Sequence, residues 1–443
     1  MEKSITRKGV FAVIAAISIQ LIVGIAYIWS VFQDDVTRTL FGGNNYQAAL
    51  TFSILLSIIA IGSVIGGKLA VKFSTRIVVF AGGIILSAGF FLAAFTTARH
   101  PWVLWLTYGL MGGVGMGFTY STTIACVQKW YPHKKGLVTG IILSALGIGS
   151  VVFAPFIEWL VSVFHHRAIM NLGFVSWPFD PANSFEYTGI PETFMVLAGI
   201  FLVICTLGSI FLKNPPDGYM ADVAVAARRF KPKRDDLTPR QMLKTPQFYL
   251  VTFSFLLACV GGMMIIAFAM PIAVARGGRL AETAVIGVMA IGFFNSFGRL
   301  LWGKVSDKIG RKNTIMILLA ASAVLFPFVI AMSGTVLLYA YLAVIGLMYG
   351  GLLATFPAIT ADLFGAKHMA TNYGFVLLGF GAASVIATQI AGHFRNVSAY
   401  YGEIERMWPA FLIAALCSAG GIVLMLILRA INKKRDAKEA ANG

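Results

Sequence analysis

The chain has 443 residues, 58% of them hydrophobic and only 12% charged, with a mean hydropathy of +0.81. That balance excludes a soluble globular protein and a large soluble domain, and leaves the polytopic membrane class. The net charge of +17 does not indicate a nucleic-acid surface, because the basic residues fall in short runs between apolar spans, the pattern by which membrane topology is written.

The N-terminal MEKSITRKG precedes an apolar run with no small-residue cleavage site, so a first spanning helix is expected and not a cleaved signal peptide. A span needs roughly 20 apolar residues. On that measure the chain predicts twelve: Val10 to Phe32, Ala48 to Leu69, Ile77 to Thr96, Trp102 to Val127, Leu137 to Val163, Phe194 to Leu212, Phe248 to Ala275, Ala281 to Val305, Thr314 to Met332, Thr335 to Leu363, Thr371 to Phe394 and Trp408 to Arg429. An even number puts both termini on one side. Placing that side in the cytoplasm assigns 27 of the 35 Lys and Arg residues to inner segments and seven to outer ones, and the one that remains is Arg299. The expected location is the cell membrane. Cys126, Cys205, Cys259 and Cys417 each sit in an apolar span without C-x-x-C spacing and read as packing residues.

Intramembrane carboxylates are few. Asp34 and Asp35 close span 1 on the outside, Glu158 follows Pro155 near the outer end of span 5, and Asp362 ends span 10 on the inside. Glu158 and Asp34 are the candidates for carrying a proton, against the alternative of polar residues at the water interface. The outer loop from Phe164 to Glu192 contains His165-His166 and Trp177-Pro178 and reads as a connector, with a lid as the alternative. Two adjacent histidines with no second ligand pair make no metal site, and no cofactor is expected.

A basic linker from Lys213 to Lys244, with Pro215-Pro216 and the run Arg228 to Arg234, divides the chain into a six-span half (1–212), a linker (213–247) and a second six-span half (248–443). Thr238-Pro239-Arg240-Gln241 predicts a short helix lying in the membrane interface. Internal similarity supports the division. Gly67-Lys68-Leu69-Ala70-Val71-Lys72-Phe73 mirrors Gly303-Lys304-Val305-Ser306-Asp307-Lys308-Ile309 at a spacing of 236 residues, and Gly140 mirrors Gly374 at 234. Parallel repeats of this kind place a substrate site between the halves near mid-membrane. The first copy has Val71 where the second has Asp307, so its charged turn is degenerate.

Span 8 carries the main functional suspect. A cation at hydrocarbon depth costs about 2.5 to 3.5 kcal/mol on insertion scales, so Arg299 should face a cavity and meet an anion. Asn295 at i−4 and Gly292 at i−7 share its face and form a binding stripe. The alternative is snorkelling to the inner interface. In the turn that follows, Asp307, Arg311 and Lys312 can tie two helices together on the inner face and release on rocking. The alternative there is a purely topogenic charge cluster.

The turn Gly303 to Lys312 resembles the G-x-x-x-D-[RK]-x-G-R-[RK] signature of the major facilitator superfamily. With Asn295 to Gly303, Leu243-Lys244-Thr245-Pro246-Gln247-Phe248, Lys129 to Leu137 and Asn372-Tyr373-Gly374-Phe375, the likeness narrows to the oxalate:formate antiporter and bacterial monocarboxylate transporter branch. This resemblance implies an all-α fold of two pseudo-symmetric six-helix halves. It further implies that Arg299 binds a substrate carboxylate, that Asn295 assists, and that Tyr120 and Tyr349 complete the pocket. A phenol suits that task, since its hydroxyl donates to a carboxylate while its ring walls the apolar remainder. The oxalate exchanger's second buried cation is a lysine at the position of Phe380, so a single carboxylate is expected here. The sequence therefore points to a transporter, not an enzyme, of small monocarboxylates by alternating access with proton coupling. Anion exchange is the alternative, and a drug or lipophilic-cation exporter on the same fold is the alternative of another class. The expected partners are a small organic anion, protons and the lipid bilayer, with the chain as a monomer.

Overall fold

The computed structural model describes residues 2–169, 185, 188–216, 236–276, 281–332 and 334–441. Trp177-Pro178 of the outer loop and the run Arg228 to Arg234 lie outside the described residues. Among the described residues the chain is helical throughout, with no strand. The long helices are α1 (Glu2–Val23), α2 (Asn45–Lys72), α3 (Thr75–Ala93), α4 (Gly112–Trp130), α5 (Lys135–Ile169), α6 (Ile190–Phe211), α7 (Pro246–Arg276), α8 (Ala281–Ile309), α9 (Arg311–Leu325), α10 (Thr335–Phe364), α11 (Met369–Tyr401) and α12 (Trp408–Ala441). Ten helices among the described residues are long and apolar enough to cross a membrane. The apolar part of α1 described there is the shorter Lys8–Val23, and α8 spends part of its 29 residues on Arg299, Lys304, Asp307 and Lys308.

Regular winding is broken next to α1 and α4. After α1 the chain tightens into a 3-10 stretch, Gly24–Ile28, and resumes as an α-helix at Trp29–Thr39. Gly24 lies there with its Cα so close to the Leu146 carbonyl of α5 that a Cβ would collide with it. Ahead of α4, Trp105–Met111 is π-helical, a form that occurs mostly as single turns and frequently near functional sites.

The chain divides into two compact units, residues 1–126 with 145–214, and residues 127–144 with 215–443. In the first, an aromatic cluster fills the core. Tyr108 lies 5.0 Å from Trp29 and 4.8 Å from Phe90, which meets Phe201 edge-on at 4.8 Å. α3 runs along α6, where Gly83 is seated on Cys205. In the second unit α7 packs on α11 and α12, and α8 on α10. Phe255 of α7 stacks on Phe356 of α10 at 4.4 Å. Outward-facing positions such as Val324, Val336 and Leu416 are apolar and exposed, which a hydrocarbon surrounding requires and water would penalise.

Ser74, which caps α3, is held at φ +143, a region reserved for glycine. Strain of that kind costs of order 1 to 3 kcal/mol, whereas the capping bond to the Ile77 amide is long at 3.5 Å. Ser74→Gly should therefore stabilise the protein by about 1 kcal/mol, visible as a raised melting temperature of the detergent-solubilised protein.

Candidate functional site

Arg299 sits in α8 at a crossing with α10 that glycines make unusually close. Added Cβ atoms at Gly298 and Gly350 would collide with the carbonyls of Leu347 and Asn295, and one at Gly346 would stand 2.7 Å from Ile291 O. Small residues at such spacing are what let spanning helices meet backbone to backbone. On another side α8 meets the first turns of α5 in the same way. Gly136 and Gly303 face each other, Gly140 lies on the Arg299 carbonyl, and Ser144 Oγ donates to Ser296 O at 2.7 Å.

Wedged among these backbones, Arg299 is 4% exposed. Its Nε donates to Asn295 Oδ1 at 3.0 Å, and its Nη1 to the Leu143 carbonyl at 2.7 Å. Among the described residues it has no ion pair. The Asn295 amide, spent as an acceptor on Arg299, leaves Nδ2 buried with no hydrogen-bond partner. A guanidinium with donors to spare and an unmet amide one turn away share one helix face. That is a donor set for one carboxylate, since each unmet buried donor costs about 1 to 3 kcal/mol and an incoming oxygen removes the deficit.

Tyr349, 5% exposed, lies across α7, where its ring fills the notch left by Gly262 and its side chain hydrogen-bonds Cys259. Phe380, equally buried, extends the aromatic stack at 6.2 Å from Phe255. Tyr120 lies half-buried in the first unit, and its carbonyl accepts from Thr123 Oγ1 at 3.0 Å and Gln20 Nε2 at 3.3 Å. Glu158 and Asp34 are exposed, and Asp35 pairs with Arg38 at 2.7 Å. Sequence reasoning passed over Gln20, a wholly buried amide that also donates to Thr123 Oγ1 at 2.7 Å. It also passed over the Leu143 carbonyl, which has no sequence signature.

Beyond Arg299 the charged turn builds a compact cluster. Asp307 Oδ1 accepts from the Gly136 amide at 3.1 Å and Oδ2 from the Leu137 amide at 2.8 Å, so it caps the N-terminus of α5 from a different helix. There it meets both unfilled N–H groups and the positive end of the helix dipole. Arg311 pairs with Asp307 and donates to Ser306 Oγ at 2.6 Å. Its Nε reaches Asp362 Oδ2 at 3.3 Å, while Lys135 Nζ reaches Asp362 Oδ1 at 3.2 Å. Gly310, at φ +89, makes the turn that brings Arg311 back toward Asp307. Lys312 is half-buried beside it.

Gly350→Ala should force α10 off α8 and abolish transport, measured as uptake by reconstituted protein against unchanged expression. Asp307→Asn should remove about 1 to 2 kcal/mol from the α5 cap. Hydrogen exchange at the Gly136 and Leu137 amides should then rise roughly five- to thirtyfold.

The Major Facilitator Superfamily profile matches residues 9–388 and again 262–443. The chain is 30% identical over 377 residues to the uncharacterized MFS-type transporter YhjX of Escherichia coli K12, covering 84% of this chain and 85% of that one. It is 29% identical to the oxalate:formate antiporter of Oxalobacter formigenes, covering 92% and 88%. Monocarboxylate transporter 12 of Xenopus laevis is 22% identical, covering 85% and 79%. The solved structure of the transporter FucP in the outward conformation shares the fold at a TM-score of 0.68 and 15% identity, over 95% of this chain and 99% of that one. With its helices, its charged turn and a family match spanning nearly its whole length, this chain belongs to the major facilitator superfamily and is a multi-pass membrane transporter.

Proposed function

We propose that the protein carries small monocarboxylate anions across the cell membrane by alternating access, with both termini in the cytoplasm. The observation that carries this reading is the buried donor set at Arg299 and Asn295, which holds more donors than its protein partners use. One guanidinium balances one carboxylate. A dianion would leave about one charge uncompensated in a low dielectric, at several kcal/mol, and Phe380 stands where a second cation would be needed. Relatives that bear the names oxalate:formate antiporter and monocarboxylate transporter are consistent with a carboxylate as cargo. A lipophilic-cation exporter would need a buried acid, and among the described residues no Asp or Glu is fully buried.

In this reading the Asp307, Arg311 and Asp362 cluster is the inner gate, made when the cytoplasmic side is closed and broken when it opens. A second reading concerns coupling. Among the described residues no carboxylate pairs with Arg299, and Glu158 and Asp34 are exposed. An empty carrier that must reorient with an uncompensated buried cation is costly, whereas a loaded one is neutralised, and this favours exchange of one acid for another over proton symport.

Uptake of radiolabelled C1 to C5 acids by proteoliposomes, with and without internal acid and with and without a pH gradient, tests both readings. Stimulation by internal acid marks exchange, and stimulation by the gradient alone marks symport. Arg299→Ala should abolish uptake and Arg299→Lys should largely fail, because an ammonium cannot reproduce the guanidinium fork; near wild-type uptake by Arg299→Ala would overturn the site. Phe380→Lys should shift competition from monocarboxylates toward dicarboxylates, and an unchanged preference would remove Phe380 from the cavity.

A further inference from the structure

The end of the linker is fastened to the second unit. Asp236 Oδ1 accepts the backbone N–H of Ala366 at 2.8 Å and of Lys367 at 3.0 Å. The Leu237 amide donates to Phe364 O at 3.0 Å, and Asn372 Nδ2 of α11 donates to Leu237 O at 3.0 Å. Thr238 then opens the short helix Pro239–Met242 with a capping box to Gln241, which directs the chain into α7. Two adjacent linker residues thus make four hydrogen bonds across the junction of α10 and α11. Gly365, the first residue past α10, has φ +85, and a Cβ there would stand 2.7 Å from Asp236 Cα and collide with its carboxylate. The position requires glycine for its backbone and again for the clamp that closes over it.

What the clamp holds is the last turn of α10. A helix end leaves its final carbonyls unmet, and the amides of the following turn need partners of their own. Here Leu237 satisfies the Phe364 carbonyl, and Asp236 satisfies two amides just beyond. Asp362 lies in that same turn, and its two carboxylate oxygens are divided between Lys135 at the start of α5 and Arg311 at the start of α9. A carboxylate shared by two cations on different helices depends on its backbone being fixed, since such pairs weaken steeply with loss of geometry.

We propose that Asp236 is a positioning residue of the inner gate: by accepting the Ala366 and Lys367 amides it fixes the end of α10 and so presents Asp362 to Lys135 and Arg311. This rests on the gating reading of the charged cluster. The role belongs to an oxygen in a particular place and not to a negative charge. Charge is the competing account, because Asp236 shares its surroundings with Lys367, Lys129 and the imidazole of His368.

Two substitutions separate the accounts. Asp236→Asn keeps a carbonyl oxygen in place and loses the charge, while Asp236→Glu keeps the charge and displaces the oxygen by a methylene. Hydrogen exchange on the full-length protein in nanodiscs, without substrate, reads two segments: 364–369, which the clamp holds, and 135–138, whose amides the gate cluster caps. Asp236→Glu and Asp236→Ala should speed exchange at least tenfold in 364–369 and at least threefold in 135–138, with Asp236→Asn within twofold of wild type in both. Should Asp236→Ala not fold, the Asn and Glu pair decides alone. Fast exchange in Asp236→Asn with slow exchange in Asp236→Glu would assign the effect to charge and overturn the proposal. So would loosening confined to 364–369 with wild-type exchange at 135–138. Because no acid is present, these outcomes are independent of whether the wild-type protein transports monocarboxylates, which the uptake panel reads separately.

Discussion

A single guanidinium buried in hydrocarbon governs the second unit. Stripped of water, Arg299 must be solvated by protein dipoles, and two neighbours supply them: the Asn295 side chain one turn back on its own helix and the Leu143 carbonyl on α5. The Leu143 carbonyl reaches it because glycines bring the backbones of α5 and α8 into direct contact, whereas Asn295 lies one turn away on the same helix. Helix packing, binding chemistry and electrostatic cost therefore meet at one residue. A neutral side chain at 299 would leave that close approach in place and remove the buried charge. The partial solvation matters as much as the burial, because a fully satisfied guanidinium would have nothing left to offer a carboxylate.

Much of this was legible in the sequence, for reasons that differ between residues. Arg299 stood out because a cation in an apolar span is expensive, and Asn295 followed from helical spacing alone. Asp307 and Arg311 could be read as a bonded pair from their separation of four residues across a glycine turn. What Asp307 caps could not be read, since its partners are the Gly136 and Leu137 amides, and every residue has an amide. The same holds for the Leu143 carbonyl. Asp236 sat at the end of a basic tether and gave no sign of its two backbone partners about 130 residues away.

Orientation about a helix axis is not written in the residues themselves. Tyr349 and Phe380 were assigned to pocket positions by likeness, but a helical residue turns about 100° from its neighbour, so a small rotation decides whether a ring faces a cavity or an adjoining helix. In the described structure both rings pack on α7, Tyr349 over Gly262 and Phe380 in the stack with Phe255. The winding changes at Gly24–Ile28 and Trp105–Met111 were equally unreadable, because neither stretch contains a proline to mark it. The charged turn from Gly303 to Lys312, written in residue identity, survives such details.

The cap that Asp307 places on α5 has a consequence for the solvent. Its carboxylate and the two amides it covers are largely shielded while the bonds stand, and neither can be left bare once they break. In the gating role proposed for this cluster, water enters as it opens and leaves again as it closes. The opening step is therefore a hydration reaction as well as a movement of helices. Its equilibrium answers to water activity, so solutes excluded from protein surfaces, such as sucrose, act on this carrier as inhibitors that bind nowhere on it.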